Sequence, residues 1–248
     1  MLNAEHLTSE QLMDIHIHTL YGVDGQGRLR YVNEIGEPPA PLFYMGRTLH
    51  GNTWHFRHDL PADLVDELNL LCHAEPVATD LTAPPQNYAA IWAVLREHPT
   101  VQGQAEYRGL AYWMPNGIEA AGDIDVVPIT AVNVECCLVT FPWLLPLLRD
   151  ALASDQNMGP IAAVVVQARA VALCFCSRRP GQATEAGVET LAAYRGRGYA
   201  TAAVAAWAAM VRQSGCMPLY SAAWDNFASQ AIARKLQMVT YGADWSIR

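Results

Sequence analysis

The stretch Glu189 to Arg212, ETLAAYRGRGYATAAVAAWAAMVR, holds the residues best suited to do chemistry. At its centre lie Arg195, Gly196, Arg197, Gly198, Tyr199, Ala200 and Thr201. The two glycines allow backbone conformations closed to other residues. They also remove side chains that would hold a ligand away from the peptide N–H groups. The alanine-rich run that follows reads as a long helix, with unpaired N–H groups and its positive dipole end at the turn. With two arginines added, the turn reads as a cradle for an anion, and specifically for a pyrophosphate. An ordinary strand-to-helix connection with solvated arginines would carry the same letters. The dinucleotide fingerprint lacks its third glycine here, and the P-loop pattern lacks Gly-Lys-Ser/Thr.

Other constellations are weaker. Glu185 and Glu189 lie four apart on the strand that enters the turn, so their carboxylates share a face. Asp14-Ile-His16-Ile-His18, read as a strand, would put both imidazoles on one face, a spacing that metal hydrolases of the amidohydrolase kind use. A strand with exposed histidines is the plainer reading. No histidine follows His98 to supply further ligands, and no metal is expected. The six cysteines form no Cys-x-x-Cys pair, which argues against a zinc ribbon and for buried, reduced thiols.

Arg195-x-x-Gly198-x-Ala200, after a strand and before a helix, resembles the acetyl-CoA signature of the GNAT N-acetyltransferases. LYSAAWDNFASQAIARKLQM, Leu219 to Met238, resembles the next strand and helix of that family, in which an asparagine follows the strand. The resemblance covers about Val126 to the C-terminus. It implies an α/β class of mixed α+β type, with a central mixed, splayed β-sheet flanked by helices in residues 121–248. Residues 1–120 would form an α+β accessory domain.

By the same resemblance, Val188, Glu189 and Thr190 bind the pantetheine arm of acetyl-CoA through their backbone. Arg195 through Thr201 hold the pyrophosphate, and Asn226 and Ser229 complete the cofactor contacts. The implied activity is acetyl transfer from acetyl-CoA to a primary amine of a small molecule or peptide, by direct attack in a ternary complex. The amine must lose a proton, the thioester carbonyl must be polarised, and the thiolate must be protonated or leave as it is. Glu189 is the preferred base, a salt bridge from it to Arg195 or Arg178 being the plainer reading, and Ser229, Tyr199 or water are the candidate acids. Where the family commonly has a tyrosine, seven residues after the asparagine, this chain has Ala233. The alternative function is a non-catalytic acyl-CoA sensor or scaffold.

Elements must position these groups. The expected order begins with a short helix over Leu7 to Met13, capped by Thr8 or Ser9, and a hairpin over Tyr21 to Tyr31. A second hairpin spans 42–58, and helices start at Pro61 and Tyr88. A strand runs over Gln104 to Met114, and a linker over 115–125 separates the two domains. Strands follow at Val126 to Thr130, Ile161 to Gln167, Ala170 to Ser177 and Thr184 to Leu191, the middle two joined by a turn at Ala168-Arg169. Between 131 and 149, Pro142 and Pro146 break a helical stretch into two short helices with Phe141, Trp143 and Leu144 at the elbow; the resemblance implies that this elbow borders the acceptor site, and aromatic core filler is the plainer reading of the same residues. The long helix runs from about Gly198 to Gln213, with Gly215 just past its end. A strand over Leu219 to Trp224, a last helix through Leu236 and a strand over Val239 to Ser246 close the chain.

Composition bounds the partners. The chain has 248 residues, 52% hydrophobic and 16% charged, enough for a substantial core. A net charge of −8 argues against nonspecific nucleic-acid binding. No apolar run is long enough to span a bilayer, and the N-terminus lacks a basic start and apolar segment, so a cytoplasmic protein is expected. The apolar, aromatic-rich first half is compatible with a homodimer.

Overall fold

A computed structural model describes residues 4–98, 105–119, 122–130, 132–144 and 159–248. In chain order its helices are α1 (Ser9–Leu20), α2 (Ala62–His73), α3 (Tyr88–Glu97), α4 (Glu135–Leu138), α5 (Tyr199–Gln213) and α6 (Phe227–Lys235). Its strands are β1 (Tyr21–Val23), β2 (Leu29–Val32), β3 (Phe43–Arg47), β4 (Asn52–Phe56), β5 (Glu106–Trp113), β6 (Val126–Pro128), β7 (Ala162–Val166), β8 (Arg169–Cys176), β9 (Ala183–Thr190), β10 (Met217–Ala223) and β11 (Val239–Ile247). This is a mixed α/β protein. Two compact units divide it. One comprises Met1–Glu5, Trp113–Tyr220 and Ala228–Val239, and the other His6–Tyr112, Ser221–Phe227 and Thr240–Arg248.

The first unit carries the turn. Its strands run in the order β10-β9-β8-β7-β6, with β10 parallel to β9 and the rest antiparallel. The β7–β8 turn falls on Gln167 and Ala168, at φ 50° and 62°, one residue earlier than expected. One face of this sheet packs against α5, where Val164, Val171 and Ala172 meet Ala202. The other meets the α4 segment, where Cys137 and Phe141 pack on Ala163, Ala170 and Leu173. A 3-10 turn over Pro142–Leu144 follows α4; the second short helix expected through Arg149 lies outside the described residues. Alanines on α5 leave no bulk between helix and sheet, so the two approach closely. Gly215 ends α5 at φ 83°, the left-handed cap that glycine supplies at lowest cost.

The second unit orders its strands β4-β3-β11-β5. Phe43, Met45, Phe56, Trp245 and Ile247 pack against α2 and α3 through Leu64, Leu68, Ile91, Trp92 and Leu95. On the opposite face lies α1: the Tyr44 hydroxyl donates to Met13 Sδ at 3.3 Å, and a Cβ at Gly46 would come within 2.6 Å of Met13. Glu106 on β5 ties α3 to the sheet. Its carboxylate accepts from the Tyr88 hydroxyl at 2.9 Å, from Trp92 Nε1 at 3.1 Å and from Trp245 Nε1 at 3.3 Å.

α1 corrects one expectation. Asp14 to His18 is helical, not a strand. Thr8 and Gln11 form a reciprocal capping box, which starts a helix and carries it through the histidines. Residues two apart on a helix point about 200° apart. His16 accordingly is buried against the Tyr241 hydroxyl, while His18 is exposed beside Asp14. The shared face that a two-histidine metal site needs is not formed. Among the described residues no three His, Cys, Asp or Glu side chains are grouped to hold a metal, and no helix is long and apolar enough to cross a membrane.

Candidate active site

β9 delivers the chain through a 3-10 turn, Ala192–Tyr194, to Arg195 and then to α5. Gly196 sits at φ 77°, and Gly198, the N-cap of α5, at φ 84°. A Cβ added at 196 would meet nothing within 4 Å, and one at 198 only Ile124 Cδ1 at 3.5 Å. Glycine is therefore required by backbone conformation, and the space over the turn is open. Ala202 N–H donates to Gly198 O at 3.0 Å, the first bond of the helix. The N–H groups of Tyr199, Ala200 and Thr201 precede it and lie in the unpaired first turn. Gly198 supplies no side-chain cap, and no acidic residue stands in that turn. The partial positive charge at this helix end is thus uncompensated.

Both arginines are exposed and fold back over the turn. Arg195 Nε donates to Thr190 O at 3.3 Å. One Arg197 Nη donates to Ala193 O at 3.3 Å, and its guanidinium lies 5.2 Å from the centre of the Tyr194 ring. Each keeps further N–H donors for an anion.

β9 itself is released on one edge. Its parallel ladder to β10 has three pairs and ends at Leu219 opposite Glu185, whereas its ladder to β8 continues to Thr190 opposite Ala172. Ala186, Gly187, Val188, Glu189 and Thr190 therefore keep a strand neighbour on the β8 side only. The Thr190 hydroxyl is buried and has no hydrogen-bond partner among the described residues. Alternation sends Glu185, Gly187 and Glu189 to the α4 face of the sheet and Val188 and Thr190 to the α5 face. Glu185 is buried, and Ser177 Oγ donates to its carboxylate at 3.4 Å. Glu189 is exposed.

Of the remaining candidates, Ser229 belongs to the same unit as the turn, on α6, where its carbonyl accepts from the Tyr220 hydroxyl at 3.4 Å. Asn226 belongs to the other unit, in the exposed link after β10, with its N–H on Ala223 O at 2.9 Å. Ala233 is 2% exposed. Reading the sequence placed Trp143 at the elbow beside the expected acceptor site but missed its partner Phe175 on the α4 face. Phe175 lies opposite Gly187, close enough that a Cβ there would stand 2.6 Å from the ring, and Trp143 packs edge-on to Phe175 at 6.0 Å. The available signal was a glycine inside a strand, which often marks a close approach.

A parallel pair that ends early, a glycine-arginine turn and an uncapped helix N-terminus together present backbone N–H groups and guanidinium donors along one open stretch of the chain. Residues 157–240 match the family model described as GNAT acetyltransferase, so the resemblance carried by the two motifs holds over this part of the chain. The match supports acyl transfer in general. Among solved structures, the chain is similar to a GCN5-related N-acetyltransferase-like protein from Streptococcus suis, with TM-score 0.50 and 18% identity over 84% of this chain and 85% of that one. It is also similar to an acetyltransferase of the GNAT family from Colwellia psychrerythraea, with TM-score 0.49 and 11% identity over 79% and 75%. For a GNAT-family protein from Novosphingobium aromaticivorans the values are 0.43 and 18% over 58% and 66%, so the chain spans just under two thirds of that protein. The Streptococcus suis likeness supports the GNAT fold. No curated protein sequence matches the chain.

Proposed function

We propose that this protein transfers an acetyl group from acetyl-CoA to a primary amine. The observation that carries the reading is the turn: two left-handed glycines with open space above them, at the start of a fifteen-residue helix without cap or acid. Arg195 to Thr201 hold the pyrophosphate by N–H groups and guanidinium donors. The released edge of β9 supplies to the amides of the pantetheine arm the backbone groups of Val188 and Thr190, which point away from β8; those of Glu189, expected to join them, turn toward Leu173 of β8, in step with Ser177 N–H on Glu185 O and Leu191 N–H on Val171 O. The buried Thr190 hydroxyl offers that arm one further partner on the same strand.

Acetyl-CoA and amine bind together. The amine nitrogen attacks the thioester carbonyl carbon, a C–N bond forms, the C–S bond breaks, and the thiolate leaves, taking up directly or through water the proton that the nitrogen sheds as the amide forms. Glu189 takes the ammonium proton, since its carboxylate is exposed and able to pass that proton to water. Glu185, on the same face but buried and bonded to Ser177, fixes the strand. Positioning of the two reactants supplies much of the acceleration. The buried Ala233, where the family has a tyrosine, favours a second reading, a protein that binds acyl-CoA without turning it over. The test is release of free thiol from acetyl-CoA across a panel of primary amines. Amine-dependent release supports the enzyme, and acetyl-CoA binding with no release from any amine supports the sensor.

A further inference from the structure

We propose that Trp143 and Phe175 select the acceptor: an amine carrying an aromatic or bulky apolar body, rather than a small polar one. The inference rests on the acetyl-transfer reading above. Its material is one face of β9. Glu185, Gly187 and Glu189 alternate onto that face, so a bare glycine backbone lies between two carboxylates. Phe175, opposite Gly187 on β8, covers that bare backbone with its ring. Trp143 stands edge-on to Phe175 with ring centres 6.0 Å apart and an interplanar angle of 62°.

Trp143 is 53% exposed. Phe141, two residues earlier, is 4% exposed and fills the core beneath α4. Core filling is therefore done by Phe141, and the indole next to it is left half in water. A half-exposed indole against a half-buried phenyl ring offers an apolar wall with edge and face both available for stacking. The wall stands beside two carboxylates, one exposed at Glu189 and one buried at Glu185. An ammonium meets the exposed carboxylate of Glu189, and an apolar body attached to it meets the rings. A small polar amine satisfies the first part only. Gly187 is what lets the two parts adjoin, because any side chain there would displace Phe175.

The experiment compares 2-phenylethylamine with ethylamine. Acetyl-CoA turnover is followed by thiol release, and binding of each amine to the protein saturated with CoA is followed by calorimetry. The expected result is a preference for 2-phenylethylamine in kcat/KM on the order of ten- to a hundredfold, expressed mainly in KM. Trp143→Ala reduces that ratio several-fold, and Trp143→Phe restores most of it. Phe175→Leu, which keeps volume over Gly187, gives an independent reduction. Equal kcat/KM for the two amines, or a ratio unchanged in Trp143→Ala, overturns the inference while leaving acetyl transfer intact. Trp143-dependent binding of 2-phenylethylamine over ethylamine, without thiol release from either, keeps the inference and removes the transferase. Absence of both binding and turnover for 2-phenylethylamine overturns the inference outright.

Discussion

Gly196→Ala separates the backbone's need for glycine from the ligand's. At φ 77° an alanine must hold the left-handed region, which costs about 1–2 kcal/mol. No packing term adds to this, because a Cβ there meets nothing within 4 Å. For a chain of this length that is a fall in Tm of about 2–8 °C. Gly215→Ala is the matched control. It too has a left-handed φ, 83°, with nothing within 4 Å of its Cβ, and it sits past the other end of α5. Fifteen helical residues separate the two sites by about 22 Å. The two apoproteins should lose similar stability. They should differ on acetyl-CoA, because only Gly196 belongs to the turn that precedes the unpaired N–H groups of α5. Pushing an anionic oxygen off one such donor forfeits a charge-assisted hydrogen bond of about 1.5–3 kcal/mol, or roughly a 10- to 150-fold rise in Kd. Calorimetric titration of both variants reads this directly, with the ligand-induced rise in Tm as a second measure. Equal Kd for Gly196→Ala and Gly215→Ala would refute the assignment of the pyrophosphate to this turn.

Two further outcomes test the second unit. Glu106→Ala removes the acceptor for the Tyr88 hydroxyl and for the indoles of Trp92 and Trp245, both of which are buried; it also frees Arg108 from its ion pair at 3.2 Å. A loss of about 3 kcal/mol or more is expected, read as a lower urea midpoint at unchanged slope. His55 is largely buried and its Nδ1–H donates to Gly27 O at 2.8 Å. Burial, the larger influence, lowers its pKa below the usual 6.5 despite that bond. The folded state therefore resists protonation more than the unfolded one. This contribution is fully present above pH 6.5 and is lost as pH falls through the lowered folded value. In His55→Asn the slope of unfolding free energy between pH 7 and pH 5 should be shallower than in the parent; an unchanged slope would show that His55 does not govern it.

Local signals explain what was legible in the sequence. The helix expected from Tyr88 runs over Tyr88–Glu97, because His98-Pro99 forbids its continuation. The turn and α5 were legible because glycine, arginine and alanine each act through the backbone nearby. Asp14–His18 misled because Ile15 and Ile17 alternate with polar residues like a strand. The capping box three residues further back outweighed that period. Gln167 and Ala168 take left-handed conformations without glycine or asparagine, so the break between two apolar strands marked the turn but composition placed it one residue late. The Trp143, Phe175 and Gly187 group depends on the register of β8 against β9 and on what α4 brings to that face. Neither is a property of any one stretch.

Whether the protein catalyses or only binds depends more on its base than on its acid. An amine at neutral pH is protonated and inert, so its proton must go before attack. The departing thiolate is a weak base, with a free thiol pKa of about 8.5, and can leave without an acid beside it. With Ala233 where GNAT acetyltransferases commonly carry a tyrosine, this chain goes without the less necessary of the two groups. Ala233 lies four residues after Ser229 on α6, so the two share a helix face. Ser229 is the only hydroxyl residue in that helix, and its alkoxide is far too basic for the hydroxyl to be an effective acid. Ser229→Ala should therefore keep kcat within a few-fold of the parent. Glu189→Gln should lower kcat/KM by about 10²-fold or more and shift its acidic limb. A larger loss in Ser229→Ala than in Glu189→Gln, or an unshifted limb in the latter, would remove Glu189 as the base and show that the hydroxyl of Ser229 is needed.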